Sequence, residues 1–252
     1  MILVISWWWF KAFYALWVLK AIEELGLQKK IKACFGVSGG AIVLSWWLSG
    51  YTAEKMYDIF INLDYLSLLK PNWRIHQSLI DINKIKKFFK SHLVNNFEDL
   101  KKKLYIWTVD LLEGKYILYD SWELIRPLIW SMSLPGIFPG VKYDGKFLVD
   151  WWVINNFPTD LAKQKYPDEK IIWIALTNIR KIDKISNIFE NLLRSWQLSI
   201  ESSIIENLKY CDILFYPKLD VRVLDLRKKK LKEIFEKGYK DGLDKLCYSQ
   251  TI

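Results

Sequence analysis

The first residue with the setting of a catalytic nucleophile is Ser38, in the segment Gly36-Val37-Ser38-Gly39-Gly40. This segment fits G-x-S-x-G, in which a serine at a tight strand-to-helix turn is exposed to substrate. Glycine at the first and last positions keeps Cβ atoms out of a crowded turn. Glycine after the serine leaves its N–H open to a developing oxyanion. Such a short pattern also arises by chance, so a nucleophile elbow and an ordinary glycine-serine turn fit the segment equally well.

A serine nucleophile needs a base, and the chain has two histidines, His76 and His92. A hydrolase triad runs serine, acid, histidine along the chain, so it would need an acid before residue 92. The available acids are Asp58, Asp64 and Asp81. His76 lies in an irregular segment and His92 on a lysine-rich helix, and we interpret both as surface residues. Asp150 is a better base, because it follows the apolar strand Phe147–Val149 and opens a loop.

Length and composition favour a single α/β domain. The chain has 252 residues, 52% hydrophobic and 26% charged, which is typical of a globular protein with a full core and excludes a disordered chain. Three widely spaced cysteines without a C-x-x-C pair predict free, mostly buried thiols in a reducing compartment. The net charge of +9 favours an anionic partner, which is a phospholipid surface, nucleic acid or an acidic substrate.

The sequence contains no G-x-x-x-x-G-K phosphate loop and no metal-ligand cluster, so we expect neither a cofactor nor a metal. Residues 1–10 are apolar up to Phe10 but too short to span a bilayer. They also lack the basic start and small-residue cleavage site of a signal peptide. We interpret them as a buried first strand that runs into a loop.

Apolar runs alternate with helical periodicity along the chain. The runs predict strands at Ile2–Ile5, Lys32–Phe35, Tyr105–Val109, Tyr116–Tyr119, Phe147–Val149, Ile171–Leu176 and Ile213–Tyr216. The 3.6-residue pattern predicts helices at Phe13–Ile22, Ala41–Ser49, Met56–Leu63, Lys84–Val94, Glu123–Ser131, Ile185–Leu208 and Leu231–Leu246. The expected cap and turn residues are Gly26, Thr52, Asn83, Gly114 and Gly145. This alternation indicates a mainly parallel sheet covered on both faces.

Further motifs follow Ser38 in a fixed order. They are Ser49-Gly50-Tyr51, Thr108-Val109-Asp110-Leu111, Ser133-Leu134-Pro135-Gly136-Ile137-Phe138-Pro139 and, after Asp150, Val153-Ile154-Asn155-Asn156-Phe157-Pro158. With these motifs the chain resembles the patatin-like phospholipases over most of its length. The resemblance implies a three-layer α/β/α fold with a mainly parallel central sheet. It implies one domain over residues 1–252, in which about 1–165 carry the catalytic motifs and 166–252 supply C-terminal strands and helices.

The resemblance also assigns roles to residues. It implies a catalytic dyad of Ser38 and Asp150 without histidine. The family has a glycine-rich oxyanion loop, G-G-G-x-[RK], where this chain has Trp7-Trp8-Trp9-Phe10-Lys11, and the family motif D-G-[GA] appears as Asp150-Trp151-Trp152. Backbone N–H groups of residues 7–11 and of Gly39 would hold the oxyanion. Lys11 either adds positive charge there or is a solvated lysine at a helix start.

Tryptophan stands at other family glycines as well. Trp17 and Trp122 occupy glycine positions, and Trp107, Trp130 and Trp173 occupy small-residue positions. Tryptophan disfavours the positive φ angles and close approaches that glycine allows. Either these residues are genuine and the site is degenerate, or one codon is written as tryptophan where the native genetic code reads glycine. The concentration of the exchanges at family glycines favours the second explanation.

We therefore expect a serine lipid acyl hydrolase, of the phospholipase A or esterase type, that uses Ser38, Asp150 and a backbone oxyanion hole. The alternatives are a catalytically impaired lipid-binding pseudoenzyme and a soluble esterase or thioesterase. The expected partners are a lipid ester substrate and an anionic membrane surface, with no nucleic acid. The expected location is the cytoplasm, with peripheral contact to the membrane.

Overall fold

The computed structural model describes residues 1–7, 11–68, 82–135, 138–150, 159–176, 184–188, 190–192, 194–195, 198, 207–217 and 228–248. The strands are β1 (Ile2–Trp7), β2 (Ala33–Ser38), β3 (Lys103–Asp110), β4 (Lys115–Tyr119), β5 (Val141–Tyr143), β6 (Lys146–Asp150), β7 (Ile171–Ala175) and β8 (Ile213–Phe215). The helices are α1 (Ala12–Glu24), α2 (Gly39–Leu48), α3 (Ala53–Ile61), α4 (Tyr65–Leu68), α5 (Asn83–His92), α6 (Ile125–Ser131), α7 (Thr159–Lys165) and α8 (Lys228–Tyr248).

The described strands form one sheet in the order β5-β6-β3-β2-β1-β7-β8, with β4 also paired to β3. Strands β1, β2, β3, β7 and β8 are parallel to one another, whereas β4 and β6 run antiparallel to β3, and β5 to β6. The residues of Ile2–Ile5 and Ile171–Ala175 are all 0% exposed, as expected for parallel strands covered on both faces. Helices flank this sheet, so the predicted three-layer α/β fold is confirmed.

The bounds of β2 differ from the prediction in a way that matters for the site. The strand was expected to end at Phe35, but it continues to Ser38. Helix α2 was expected to begin at Ala41, but it begins at Gly39. No residue therefore separates the two elements, and Ser38 is both the last residue of the strand and the N-cap of the helix.

The predicted turns and caps are confirmed with one exception. Gly26, Gly114 and Gly145 have φ angles of +67°, +65° and +72°, the left-handed region that glycine adopts readily. Thr52 caps α3, since its hydroxyl accepts a hydrogen bond from the N–H of Lys55 at 3.3 Å. The prediction for Asn83 is wrong. The helix starts one residue earlier than expected, so Asn83 is its first residue and Ile82 is its N-cap.

Some elements were missed or lie partly outside the described residues. Strand β5 and helices α4 and α7 have 3, 4 and 7 residues, too few for a periodic pattern to show. Of the helix predicted at 185–208, residues 188, 190–192, 194–195, 198 and 207 are α-helical. Its other positions lie mostly outside the described residues.

The core accommodates indole rings at positions where the family resemblance predicts small residues. Trp107 is 1% exposed and stacks on Phe35 with ring centroids 5.3 Å apart. Trp173 is 0% exposed, and its Nε1 donates a hydrogen bond to the hydroxyl of Ser6 at 3.0 Å. Trp130 is also buried. These three rings are therefore part of the packed interior beside and within the sheet.

Helix α8 packs directly on α1 through two glycines. A Cβ atom on Gly238 would lie 2.5 Å from the carbonyl oxygen of Tyr14, and one on Gly242 would lie 2.8 Å from the Cβ of Ala21. The hydroxyl of Tyr14 donates to the carboxylate of Asp241 at 2.8 Å. Burial, followed by this contact with Asp241, raises the pKa of Tyr14. The absence of side chains on the two glycines thus allows the close approach of the helices.

Trp122 has a backbone conformation that favours glycine. Its φ angle is +70°, and its side chain is 81% exposed. Its N–H donates to the carboxylate of Glu98 at 3.1 Å, and its carbonyl accepts from the N–H of Phe97 at 2.8 Å. These two bonds hold the backbone in the left-handed region, where a Cβ atom costs roughly 1–2 kcal/mol.

We expect Trp122→Gly to increase the free energy of unfolding by about 1 kcal/mol, because it relieves this strain and keeps both backbone hydrogen bonds. Urea denaturation measures the change. Trp122→Ala is the matched control, since it removes the indole but keeps the Cβ atom, and it should give no gain. Equal stabilisation by both variants would show that the indole, and not the φ angle, is unfavourable.

Candidate active site

Ser38 lies at a strained junction between β2 and α2. Its backbone angles are φ +53° and ψ −124°, and a residue held in such a sparsely populated region stores about 1–3 kcal/mol. The junction has the strand–turn–helix geometry in which a nucleophilic serine is presented to substrate. Ser38 is half-buried, whereas its neighbours Val37 and Gly39 are buried, so it is the accessible residue of the turn.

Packing requires glycine on both sides of this turn. A Cβ atom on Gly36 would lie 2.5 Å from the Cα of Ala41, and one on Gly40 would lie 2.0 Å from the carbonyl oxygen of Ile5. No side chain fits at these distances, so the first turn of α2 can pack on β1 and β2 only with glycine here. That turn, which includes Gly39, presents N–H groups without partners inside the helix and carries the positive end of the helix dipole.

The ends of β2 and β6 meet on one edge of β3. Strands β4 and β6 both pair with residues 108–110 of β3, so they lie on opposite edges. Ile106 pairs with Gly36 of β2 and with Tyr119 of β4, which places β2 on the edge opposite β4. Strands β2 and β6 therefore share an edge. The pairing of β2 ends at Gly36, and that of β6 ends with Asp150 opposite residue 108.

The strand pairings place Ser38 and Asp150 next to each other along the shared edge of β3. Positions two residues apart along a strand are separated by about 7 Å, and Ser38 follows Gly36 by two residues. Ser38 therefore reaches the level of Asp150 on the shared edge of β3. Asp150 is the last residue of β6 and is 2% exposed. A buried carboxylate within hydrogen-bond reach of a serine hydroxyl can accept its proton.

The end of α6 is hydrogen-bonded to both residues. The hydroxyl of Ser131 accepts from the N–H of Ser38 at 3.0 Å, and the carbonyl of Ser133 accepts from the N–H of Asp150 at 3.0 Å. Both of these serines are 0% exposed. The segment 131–133 thus fixes the backbones of Ser38 and Asp150 relative to each other. The N–H of Ser38 is therefore occupied, whereas the predicted oxyanion donor of this turn is the N–H of Gly39.

Sequence reasoning included Ser133 in a motif but missed Ser131. The available signal was the pair of serines at 131 and 133 shortly before Pro135. Serine is common near helix ends, and only the tertiary contact to the N–H of Ser38 distinguishes this one.

The predicted oxyanion loop starts beside Ser38. Trp7, the last residue of β1, pairs in register with Ser38. Lys11 is half-buried and immediately precedes α1. The remaining predicted residues of the loop and of the segment after Asp150 lie outside the described residues, namely Trp8, Trp9, Phe10, Trp151 and Trp152.

The prediction that His92 is a surface residue is wrong. The residue is half-buried, its ring stacks on Trp46 with centroids 5.0 Å apart, and its Nδ1 lies 2.9 Å from the carbonyl oxygen of Phe88. Trp46 lies about two turns beyond Ser38 in α2, or roughly 11 Å along the axis. His92 therefore packs away from the strained turn. His76 lies outside the described residues.

Within the described ranges, no three His, Cys, Asp or Glu side chains form a group that could hold a metal ion. No helix in those ranges is long and apolar enough to cross a bilayer. The three cysteines are free thiols, but only Cys34 is buried, whereas Cys211 is half-buried and Cys247 exposed. The prediction of mostly buried thiols therefore holds fully for Cys34 alone. Burial raises the pKa of Cys34 to about 12, which makes it unreactive.

Comparison with known proteins identifies related sequences. The model of the patatin-like phospholipase family matches residues 10–163. A protein of invertebrate iridescent virus 6 named "Probable lipid hydrolase" is 28% identical over an alignment of 212 positions, and the alignment covers 70% of this chain and 73% of the viral protein. An uncharacterized protein of Acanthamoeba polyphaga mimivirus is 24% identical over an alignment of 266 positions, and the alignment covers 90% of this chain and 88% of the mimivirus protein.

The fold is similar to that of VipD from Legionella pneumophila, with a TM-score of 0.66 and 12% sequence identity. The similarity covers 98% of this chain and 66% of VipD, and at this identity it concerns the fold alone. The family match includes the Ser38 turn, strand β6 and Asp150, and it extends over more than half of the chain. The chain therefore belongs to the patatin-like phospholipase family.

Proposed function

We propose that this protein is a serine acyl hydrolase of lipid esters, with Ser38 as the nucleophile and Asp150 as the base. The observation that carries the proposal is the meeting of β2 and β6 on one edge of β3. Family membership and the similarity to a viral protein named a probable lipid hydrolase support a lipid ester as the substrate.

In the first half of the reaction, the Oγ atom of Ser38 attacks the ester carbonyl carbon, and the carboxylate of Asp150 accepts the hydroxyl proton. The carbonyl oxygen becomes an oxyanion, which the N–H of Gly39 and N–H groups of the loop after Trp7 stabilise. The bond to the leaving alcohol then breaks, and Asp150 returns its proton to the alcohol oxygen. The product is an acyl group on Ser38.

In the second half, Asp150 accepts a proton from water, and the water oxygen attacks the acyl carbon. The same N–H groups hold the second oxyanion. The bond between the acyl carbon and Ser38 breaks, and the Oγ of Ser38 recovers a proton from Asp150. Asp150 thus acts in turn as general base and general acid, so the reaction requires no histidine.

The test of the proposal is the loss of phospholipid hydrolysis when the side chain of Ser38 or Asp150 is removed. A protein that hydrolyses phospholipid without the hydroxyl of Ser38 would not work by this mechanism. Comparison of a micellar phospholipid with a soluble short-chain thioester separates a lipid hydrolase from the thioesterase alternative.

We expect Ser131→Ala to lower kcat about tenfold while KM is unchanged. The substitution removes the acceptor of the N–H of Ser38, and a donor shielded from water costs about 1–3 kcal/mol when it has no partner. It also releases the backbone that positions the nucleophile, and small displacements of a reacting group slow the chemical step. Steady-state hydrolysis of a soluble ester gives both constants.

Ser45→Ala is the matched control for this variant. Ser45 lies in α2, is 0% exposed, and its hydroxyl has no hydrogen-bond partner within the described part of the chain. The Ser45→Ala substitution removes the same atom from an equally buried position and leaves the contact between Ser131 and Ser38 in place. The kcat should therefore stay at the level of the unmodified protein. An equal fall of kcat in both variants would reduce the role of Ser131 to general packing.

A further inference from the structure

Two turns lie at the end of the sheet where the parallel strands finish, which is also where Ser38 and Asp150 lie. Strand β3 runs parallel to β2, so β3 finishes at the same end of the sheet as Ser38. The turn 111–114 follows β3 there, and the turn 144–145 lies beside it, because β6 runs antiparallel to β3. Leu148 of β6 pairs with Asp110, the last residue of β3. Both turns therefore extend beyond the level of Asp150.

The side chains on these turns are unusually apolar for a solvent-exposed edge. Leu112 is 71% exposed, Leu111 42% and Tyr143 44%. Leu112 and Tyr143 line a common groove with Phe147, so they form one patch and are not scattered residues. We call residues 111–113 and 142–146 together the hairpin tips. Clustered exposed apolar side chains of this kind mark interaction sites.

The buried carboxylate of Asp110 holds the hairpin tips together. Asp110 is 4% exposed, and its Oδ1 accepts hydrogen bonds from the N–H of Leu112 and the N–H of Phe147, each at 3.1 Å. The N–H of Leu111 donates to the carbonyl of Phe147 at 2.9 Å. One carboxylate thus joins two separate turns, which gives a structural role to a motif residue that the dyad chemistry does not use.

Among the described charges of the hairpin tips, that of Lys142 is not neutralised by an ion pair. Lys115 pairs with Glu113 at 3.0 Å and Lys146 with Asp144 at 3.3 Å, each within its own hairpin. Lys142 is exposed, and no ion pair joins it to an acidic side chain among the described residues. The charge of Lys142 has the same sign as the net charge of +9 of the whole chain.

We propose that the hairpin tips dock the protein on an anionic lipid surface. Apolar side chains flanked by lysines complement a bilayer, in which hydrocarbon lies below anionic headgroups. The tips reach roughly 10 Å beyond the level of Asp150, at about 3.3 Å for each residue of β3 and its turn. Docking there brings the strained turn of Ser38 to the depth of the lipid esters. The identity of the docked surface as substrate rests on the proposed function, whereas the docking itself does not.

The test is the partition of the protein onto vesicles made of equal parts of phosphatidylcholine and phosphatidylglycerol. Binding is measured in Ser38→Ala protein, so that lipid is not consumed. The double variant Leu111→Ser, Leu112→Ser should bind at least about tenfold more weakly, because the exposed leucines no longer enter the apolar layer. Lys142→Gln should bind about fivefold more weakly to these vesicles and equally well to vesicles of phosphatidylcholine alone.

Trp122→Gly is the matched control. Trp122 is the most exposed of the large apolar residues described. It follows the end of β4, which is antiparallel to β3, so it lies at the end of the sheet away from the hairpin tips. Its loss should leave the partition of the protein onto vesicles unchanged. Equal weakening by Trp122→Gly and by the leucine double variant would overturn the assignment of the docking surface, as would partition unaffected by the leucines. If partition depends on the leucines but the protein with Ser38 intact hydrolyses no lipid, the docking is upheld and only the proposed function is refuted.

Discussion

Ser38→Ala and Asp150→Asn are each expected to lower phospholipid hydrolysis at least about 10³-fold. The first variant has no nucleophile, and the second has no group that accepts the serine proton, because the amide of asparagine is not a base. When two residues act as a unit, removal of either one abolishes nearly all of the rate enhancement that they provide together. The double variant should therefore be little slower than the single variants. Rates on micellar phospholipid under identical conditions check all three.

A fluorophosphonate probe provides an independent measurement, because it reacts with activated serines. The unmodified protein should be labelled at Ser38, and both dyad variants should remain unlabelled. His92→Gln is the control, since His92 packs on Trp46 and the mechanism does not use it. Labelling that persists in Ser38→Ala would remove the nucleophile assignment, and loss of labelling in His92→Gln would restore a triad.

Glycine in the oxyanion loop and after Asp150 is expected to raise hydrolysis by about 10²-fold or more over the written sequence. Each indole carries on the order of 150–250 Å² of surface that folding tends to bury, and Trp7, the last residue of β1, pairs with Ser38. Loss of one oxyanion donor alone costs about 10²–10³ in rate. The variant combines Trp7→Gly, Trp8→Gly, Trp9→Gly, Trp151→Gly and Trp152→Gly.

The control for this variant is a tryptophan outside the loop, whose replacement by glycine should not raise the rate of hydrolysis. Trp46 is 0% exposed and lies against Tyr51, Phe60 and His92, so Trp46→Gly should lower stability by about 3–5 kcal/mol and give no gain in rate. If the written protein hydrolyses lipid as fast as the loop variant, the loop after Trp7 is not the oxyanion hole. The pseudoenzyme would be the better description if neither protein is active.

Sequence patterns predicted the architecture well, because buried parallel strands are short, continuous apolar runs. Ile2–Ile5 and Ile171–Leu176 were recognisable for this reason. The end of β2 was not recognisable, because glycine at position 36 and serine at position 38 suggest a turn. In the fold, the pairing of β2 with β1 continues as far as Ser38. Local preference was overridden there by the neighbouring strand.

For the candidate site, motifs predicted which residues are involved but not how they are held. The spacing of G-x-S-x-G indicated Ser38, and a carboxylate after a strand indicated Asp150. The contacts from Ser131 and Ser133 depend on how the end of α6 meets β2 and β6, which no local pattern encodes. The error for His92 has the same origin, since a lysine-rich helix gave no sign that its last residue packs on Trp46.

The packing of α8 on α1 has a consequence for synthesis of the protein. The two helices are separated by about two hundred residues of chain, and contacts of such long sequence separation form late. On the ribosome, the surface of α1 that packs on α8 stays uncovered until residues 228–248 have been translated. We therefore expect the nascent chain to reach its closed native state only after residues 228–248 have emerged, with chaperones covering this surface of α1 until then.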